Sequence, residues 1–64
     1  MFYLLKVKNE RNGGMRAILT SQDYNEILDY IKRHAEVGKT YYLFNRNYDI
    51  IKRLKRNDED VIEL

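Results

Sequence analysis

Residues 24–35, with the sequence Tyr-Asn-Glu-Ile-Leu-Asp-Tyr-Ile-Lys-Arg-His-Ala, decide the fold because they carry the clearest helical spacing in the chain. We expect a helix over roughly residues 22–37, capped by Ser21 or Thr20 and ending at Gly38. A helix with apolar residues on one side packs its apolar side on another apolar surface. The apolar residues that recur at this spacing are Tyr24, Ile27, Leu28, Ile31 and Ala35.

Three short apolar segments flank this helix and supply that surface. They are residues 2–5 (Phe-Tyr-Leu-Leu), 16–19 (Arg-Ala-Ile-Leu) and 41–44 (Tyr-Tyr-Leu-Phe). Successive side chains of a strand point to opposite faces of a sheet, so each segment places apolar groups on both faces. One helix covers only one of these faces. The other face is therefore predicted to stay partly apolar, which is typical of a binding surface.

The order of these segments predicts a small α+β domain with a ββαβ core. We expect strands over residues 2–8, 15–20 and 39–45, which form an antiparallel sheet with the helix on one face. A chain of 64 residues is one domain, and it buries only about 60% of the surface that its unfolded chain exposes. It contains no Cys, so disulfides cannot add stability. We therefore expect a homodimer or a permanent complex.

The first two strands are joined through Asn12-Gly13-Gly14, a sequence typical of hairpin turns. A two-residue loop would pair Val7 with Ile18, whereas a three-residue loop pairs Val7 with Leu19. We favour the three-residue loop because it gathers one apolar face, made of Tyr3, Leu5, Val7, Ala17 and Leu19. The opposite face would then hold Phe2, Leu4, Lys6, Lys8, Arg16, Ile18 and Thr20.

Two structures remain open for the residues after the third strand. Ile50, Ile51 and Leu54 have a spacing that fits a short helix with basic residues near its end. The turn-like clusters at residues 45–48 and 57–60 favour instead a meander whose last strand is residues 61–64. In either arrangement we expect residues 1–57 to form the α+β domain and residues 58–64 to form an acidic C-terminal tail or an edge strand.

Catalytic residue types are scarce in this chain. His34 is its one histidine, and Thr20, Ser21 and Thr40 are its only aliphatic hydroxyls. No nucleophile, base and orienting acid come together from these residues, so we expect no enzyme. The acidic run 58–60 lacks the glycine and the closing glutamate of a calcium loop, and we expect neither a metal nor a cofactor.

Charge is unevenly distributed along the chain, although its net value is only +2. Residues 30–56 carry eight basic and two acidic side chains, and residues 58–64 carry four acids and no base. Basic side chains beside aromatic ones on an open sheet are typical of RNA-binding sheets, but tyrosine and arginine are also favoured at protein interfaces. The predicted binding residues are Phe2, Leu4, Lys6, Lys8, Arg16, Ile18, Tyr41, Tyr42, Arg46, Lys52, Arg53, Lys55 and Arg56. Strand alternation puts only one of Tyr41 and Tyr42 on the uncovered face, and the sequence leaves open which one.

These features predict a non-enzymatic protein-binding module, a modulator or inhibitor of a larger macromolecule that resembles small viral accessory proteins only by analogy. The alternative is an RNA or single-stranded DNA binding protein that uses residues 46–56 and the sheet aromatics. We expect no membrane association, since no run of 18 apolar residues is present. The first residues do not fit a signal peptide, and a cytoplasmic location is expected.

Overall fold

Within residues 2–9 and 11–64, which the computed structural model describes, one helix and five strands follow each other along the chain. In chain order they are β1 (Tyr3–Lys8), β2 (Met15–Ser21), α1 (Tyr24–His34), β3 (Thr40–Phe44), β4 (Ile50–Arg56) and β5 (Val61–Glu63). The strands form one antiparallel sheet in the order β2-β1-β3-β4-β5. The predicted α+β class and the ββαβ core are confirmed.

Helix α1 is shorter than predicted and begins at a different cap. Asp23 is the N-cap residue, and its carboxylate accepts a hydrogen bond from the backbone N–H of Asn25 at 2.9 Å. Ser21 supports this cap from outside the helix: its hydroxyl accepts from the N–H of Asp23 and donates to the carboxylate of Glu26. A carboxylate in the first turn also interacts favourably with the helix dipole, which explains why Asp23 caps the helix.

The helix ends at His34, before the predicted Gly38. Gly38 lies in the turn that follows, where a φ of +87° suits a residue without a side chain. The predicted stripe is confirmed, because Ile27 and Ile31 are fully buried and the other stripe residues pack beside them. Each buried aliphatic side chain contributes about 1.5–3 kcal/mol. The core is Leu5, Val7, Ile27, Ile31, Tyr41, Leu43 and Leu54.

The predicted register between β1 and β2 is wrong. Strand pairing extends to Lys8 and Met15, so the connecting loop is longer than the three predicted residues, and Val7 faces Arg16 instead of Leu19. A β-bulge then leaves Ile18 unpaired, and beyond it Leu5 pairs with Leu19. The bulge restores the apolar pairing that the longer loop displaces, because one extra residue reverses which face each following side chain occupies.

This register exchanges two predicted positions between the faces of the sheet. Arg16 lies opposite Val7 on the side of the helix, whereas Ala17 lies opposite Lys6 on the other side. Ile18, at the bulge, is half-buried and packs against the core. Leu19 does share a face with Leu5, as predicted.

Residues 50–63 form the meander, and the alternative of a short helix is wrong. Two asparagine side chains build its turns. The Asn45 side chain accepts hydrogen bonds from the N–H groups of Asn47 and Asp49, at 2.9 and 3.0 Å. The Asn57 side chain likewise accepts from the N–H groups of residues 59 and 60. The acidic end of the chain thus forms a turn and the edge strand β5.

Candidate binding face

The helix covers one side of the sheet, and we call the opposite side the open face. The registers of the strands place its residues in cross-strand rows, since directly paired residues share a face. Its members from β1 and β2 are Leu4, Lys6, Lys8, Met15, Ala17 and Thr20. Its members from β3, β4 and β5 are Thr40, Tyr42, Phe44, Ile50, Arg53, Lys55 and Ile62.

A tyrosine between two cations occupies the middle of this face. Tyr42 on β3 pairs with Lys6 on β1 and with Arg53 on β4. Direct cross-strand partners have Cβ atoms about 4.5–5.5 Å apart, so the three side chains are immediate neighbours. The row therefore combines a half-buried aromatic ring with two positive charges.

An apolar row lies next to it. Leu4, Phe44 and Ile50 are consecutive cross-strand partners on β1, β3 and β4. Phe44 is only 9% exposed, and the Lys6 ammonium lies 5.2 Å from the centre of its ring. A cation at this distance over an aromatic face stabilises by about 0.5–1 kcal/mol. Lys6 therefore covers Phe44, which is held in place by packing and offers little free ring surface.

Charge differs between the two sides of the sheet. Among the strand residues that the structure describes, the charged side chains of the open face are all basic: Lys6, Lys8, Arg53 and Lys55. The three ion pairs of the described chain lie on the helix or the helix side. They join Asp29 to Arg33, Glu36 to Lys39 and Glu63 to Lys52. The open face consequently presents positive charge without a neighbouring carboxylate in its strands.

The structure brings six of the predicted binding residues together on the open face. They are Leu4, Lys6, Lys8, Tyr42, Arg53 and Lys55. Strand alternation divides the basic cluster 52–56, because Lys52 and Arg56 point to the helix side. Arg16 and Ile18 do not lie on the predicted face either, because the observed register of β2 and its bulge place them elsewhere.

Tyr41 is buried and belongs to the core. Its side chain is 3% exposed, and its hydroxyl accepts a hydrogen bond from the backbone N–H of Glu36 at 2.8 Å. Tyr42 is therefore the tyrosine of this pair that lies on the open face. Tyr41 therefore lies outside the candidate binding face, because the helix and the turn after it cover this residue.

Lys52 and Arg56 bind other parts of the fold. The Lys52 ammonium lies 5.6 Å from the centre of the Tyr24 ring and 3.2 Å from the Glu63 carboxylate. Contact with the Tyr24 side chain, and secondly with Glu63, raises the pKa of Lys52. The Arg56 guanidinium donates to the backbone carbonyl of Lys32 at 3.3 Å. Through these contacts both residues join β4 to α1, and Lys52 also joins it to β5.

The sequence did not identify three apolar members of the open face. Met15, Ile50 and Ile62 are 42%, 39% and 47% exposed, and they extend the apolar surface onto β2, β4 and β5. Assigning Ile50 and Ile62 to this face requires knowing that residues 50–63 are strands. The turn clusters at residues 45–48 and 57–60 were the signal that could have identified them.

A shallow cleft lies at the end of the sheet where β1 begins and β3 ends, and we call it the end cleft. Its volume is about 220 Å³, and its walls include Phe2, Leu4, Thr20, Arg46 and Tyr48. The predicted binding residues Phe2 and Arg46 are thus found here, together with Leu4 from the open face. The residues that line it come from three separate parts of the chain, at positions 2–4, 20 and 45–48.

Tyr48 is held in an unusual backbone conformation beside this cleft. Its φ is +64°, a left-handed value that costs an L-residue with a large side chain about 1–2 kcal/mol. The turn imposes this conformation, since the N–H of Tyr48 donates to the carbonyl of Asn45 and the N–H of Asn45 donates to the carbonyl of Asp49. Its side chain is nonetheless 75% exposed, so packing does not offset the strain.

The described residues show few features of a metal site, a histidine-based site or a membrane-spanning segment. They contain no group of three or more histidine, cysteine or acidic side chains that could hold a metal ion. The His34 ring lies 4.9 Å from the ring of Tyr30, one turn earlier on the helix surface. No helix among residues 2–9 and 11–64 combines the length and the apolar composition needed to cross a membrane.

No protein-family model, no curated protein and no solved structure matches the chain.

Proposed function

We propose that this chain is a small, non-enzymatic protein-binding module, and that its open face binds an acidic surface of a larger protein. The observation that carries the proposal is the composition of that face, which combines exposed aliphatic side chains with cations that have no carboxylate beside them in the strands. Protein interfaces combine an apolar centre with polar groups around it. Binding of this kind suits a modulator or inhibitor that acts in the cytoplasm.

The arrangement of charge favours an acidic partner over a second copy of the chain. Two open faces placed against each other would bring Lys6, Lys8, Arg53 and Lys55 of both copies together, and such like-charge contacts are destabilising. A partner with carboxylates would instead pair with these cations at the edge of an apolar contact. The homodimer predicted from the small size of the core is therefore the weaker possibility for this face.

A single-stranded nucleic acid is the second candidate, and the row of Lys6, Tyr42 and Arg53 favours it. A base could stack on Tyr42 while the two cations bind phosphates. However, Phe44 is covered by Lys6, and the exposed apolar side chains of the face, Met15, Ile50 and Ile62, carry no aromatic ring, whereas bases stack on aromatic rings.

The experiment that tests the proposal is site-specific photo-crosslinking in cells that express the protein. A photoreactive amino acid replaces Tyr42 in the centre of the open face, and the matched control replaces Arg33 on the exposed helix surface. We expect a protein adduct at position 42 that is absent at position 33 and that Lys6→Glu or Arg53→Glu removes. Equal adducts at both positions, or none at position 42, would contradict the proposal.

The same experiment separates the two candidates. A nuclease-sensitive adduct at position 42 would favour nucleic acid, and the affinity should then fall by orders of magnitude between low and physiological salt because counterions are released on binding. A protein adduct would survive nuclease treatment. We expect no tight binding of RNA or single-stranded DNA at physiological salt.

A further inference from the structure

We propose that the end cleft receives one large apolar side chain from an acidic segment of the partner protein. This inference rests on the proposed function, since it takes the partner to be the protein that binds the open face. The inference specifies which part of that partner enters the cleft, and it assigns Phe2, Arg46 and Tyr48 a role in recognition.

The size of the cleft selects its occupant. A volume of about 220 Å³ lies below the roughly 300–1,000 Å³ of pockets that enclose a small-molecule ligand. It suits a single side chain such as phenylalanine. Phe2, which is 57% exposed, and Tyr48 would contact such a ring, and the side chains of Leu4 and Thr20 line the cleft beside it.

The strained backbone conformation of Tyr48 indicates that its side chain takes part in binding. Glycine or asparagine would adopt a φ of +64° at lower cost, and either would make the same turn hydrogen bonds. A bulky aromatic residue that is both strained and exposed gains nothing in the free protein from either property. Strain that is retained without compensation in the folded chain is typical of binding residues. Tyrosine is also among the residues that dominate binding energy at protein interfaces.

The charges around the cleft indicate which residues flank the inserted side chain in the partner segment. Arg46 lies at the cleft and makes no ion pair within the described residues. Antiparallel topology places the acidic turn of residues 58–60 at the opposite end of the sheet. The apolar row of Leu4, Phe44 and Ile50 connects the cleft to the cations in the middle of the open face. A segment that carries carboxylates on either side of its apolar residue matches this arrangement.

The test uses three synthetic peptides and the ¹⁵N-labelled protein. One peptide has a central phenylalanine flanked by glutamates, the second replaces the phenylalanine with alanine, and the third replaces the glutamates with lysines. We expect the first peptide to shift the amide signals of residues 2–4 and 45–48, and the other two to bind at least about tenfold more weakly. Equal binding of the phenylalanine and alanine peptides would overturn the inference.

Variants of the turn provide the second measurement. Tyr48→Gly relieves the strained backbone, so we expect a protein that is at least as stable as the wild type but binds the first peptide about tenfold more weakly. The matched control is Asn47→Ala, which changes a neighbouring side chain outside the cleft wall and keeps its backbone N–H. It should bind normally. Unchanged binding by Tyr48→Gly would exclude a role for this residue.

Arg46→Gln tests the charge requirement, and an oligonucleotide tests the competing ligand. This variant should lose its preference for glutamate over lysine in the flanks. If single-stranded oligothymidine shifts the amides of the end cleft and the acidic peptide does not, the inference fails.

The two proposals can fail separately. Absence of a crosslink at position 42, together with peptide binding at the end cleft, would contradict the open-face proposal and leave the end cleft as a binding site for an acidic segment. If the crosslink at position 42 persists in Tyr48→Gly and the wild-type protein does not bind the first peptide, the inference about the end cleft is contradicted and the open-face proposal stands.

Discussion

The Tyr41 hydroxyl accepts a hydrogen bond from the backbone N–H of Glu36 at 2.8 Å, and this contact joins β3 to the residues that follow the helix. Two tyrosines adjacent in sequence consequently have different roles. Tyr41 fixes the helix on the sheet, and Tyr42 lies on the open face between two cations.

The difference between these tyrosines can be measured. Tyr41→Phe leaves the N–H of Glu36 without its acceptor, so we expect a loss of about 1 kcal/mol in the free energy of unfolding. Tyr42→Phe is the matched control and should change stability by less than about 0.5 kcal/mol. Urea denaturation of both variants measures the two values. Equal losses would show that the hydrogen bond to Glu36 contributes nothing.

The observed register predicts opposite outcomes for two substitutions near the hairpin. Val7→Asp places a carboxylate in the core without a partner and should prevent folding. Ala17→Lys should leave the protein folded, because Ala17 is exposed on the open face. Circular dichroism during heating distinguishes these outcomes. Unfolding by Ala17→Lys would instead support the three-residue hairpin loop.

The contacts of Lys52 predict a loss of stability at alkaline pH. Its pKa in the folded protein is raised above the ordinary value of 10.5 by Tyr24 and then by Glu63. Its contribution is therefore complete below the unfolded-state pKa and is lost as the pH rises through the folded-state pKa.

Urea denaturation between pH 8 and pH 11.5 measures this effect as the stability difference between the wild type and Lys52→Met. The difference should be constant at the lower pH values and shrink at the upper ones. Glu63→Gln should reduce it only in part, because Tyr24 is the larger cause. A difference that grows at alkaline pH would contradict the assigned direction.

Salt should increase any self-association through the open face. The cations Lys6, Lys8, Arg53 and Lys55 repel each other across two such faces, and added salt screens this repulsion. We expect a monomer at low ionic strength and weak association at high ionic strength, as measured by sedimentation. A stable dimer at low salt that salt does not strengthen would show that the copies associate through another surface.

The helix and the third strand could be predicted from sequence, but the face of the sheet on which each β2 side chain lies could not. Periodicity identifies residues such as Ile27 and Ile31 because every turn of a helix repeats the same signal. A hairpin register depends instead on one loop length, and a bulge reverses it again. The longer loop and the bulge at Ile18 partly cancel, so Leu19 was placed correctly while Arg16 and Ala17 were exchanged.

A second bulge explains the ambiguity at residues 50–56. Ile50 and Leu54 are four residues apart, which resembles one face of a helix. In the sheet an irregularity after Leu43 skips Ile51, so Ile50 lies on the open face and Leu54 lies in the core. Alternation then separates Arg53 from Lys52, and half of the predicted basic cluster leaves the candidate site.

The one-sided charge of the sheet has a kinetic consequence. Among the described strand residues, the cations of the open face have no carboxylate beside them, whereas the ion pairs lie on the other side, so an acidic partner would exert a torque on the molecule before contact. This torque acts over about one Debye length, roughly 10 Å at 0.1 M salt. Encounters would then begin with the open face turned towards the partner. The association rate constant should fall steeply with salt, while the dissociation rate constant, determined by the apolar contacts, should change little.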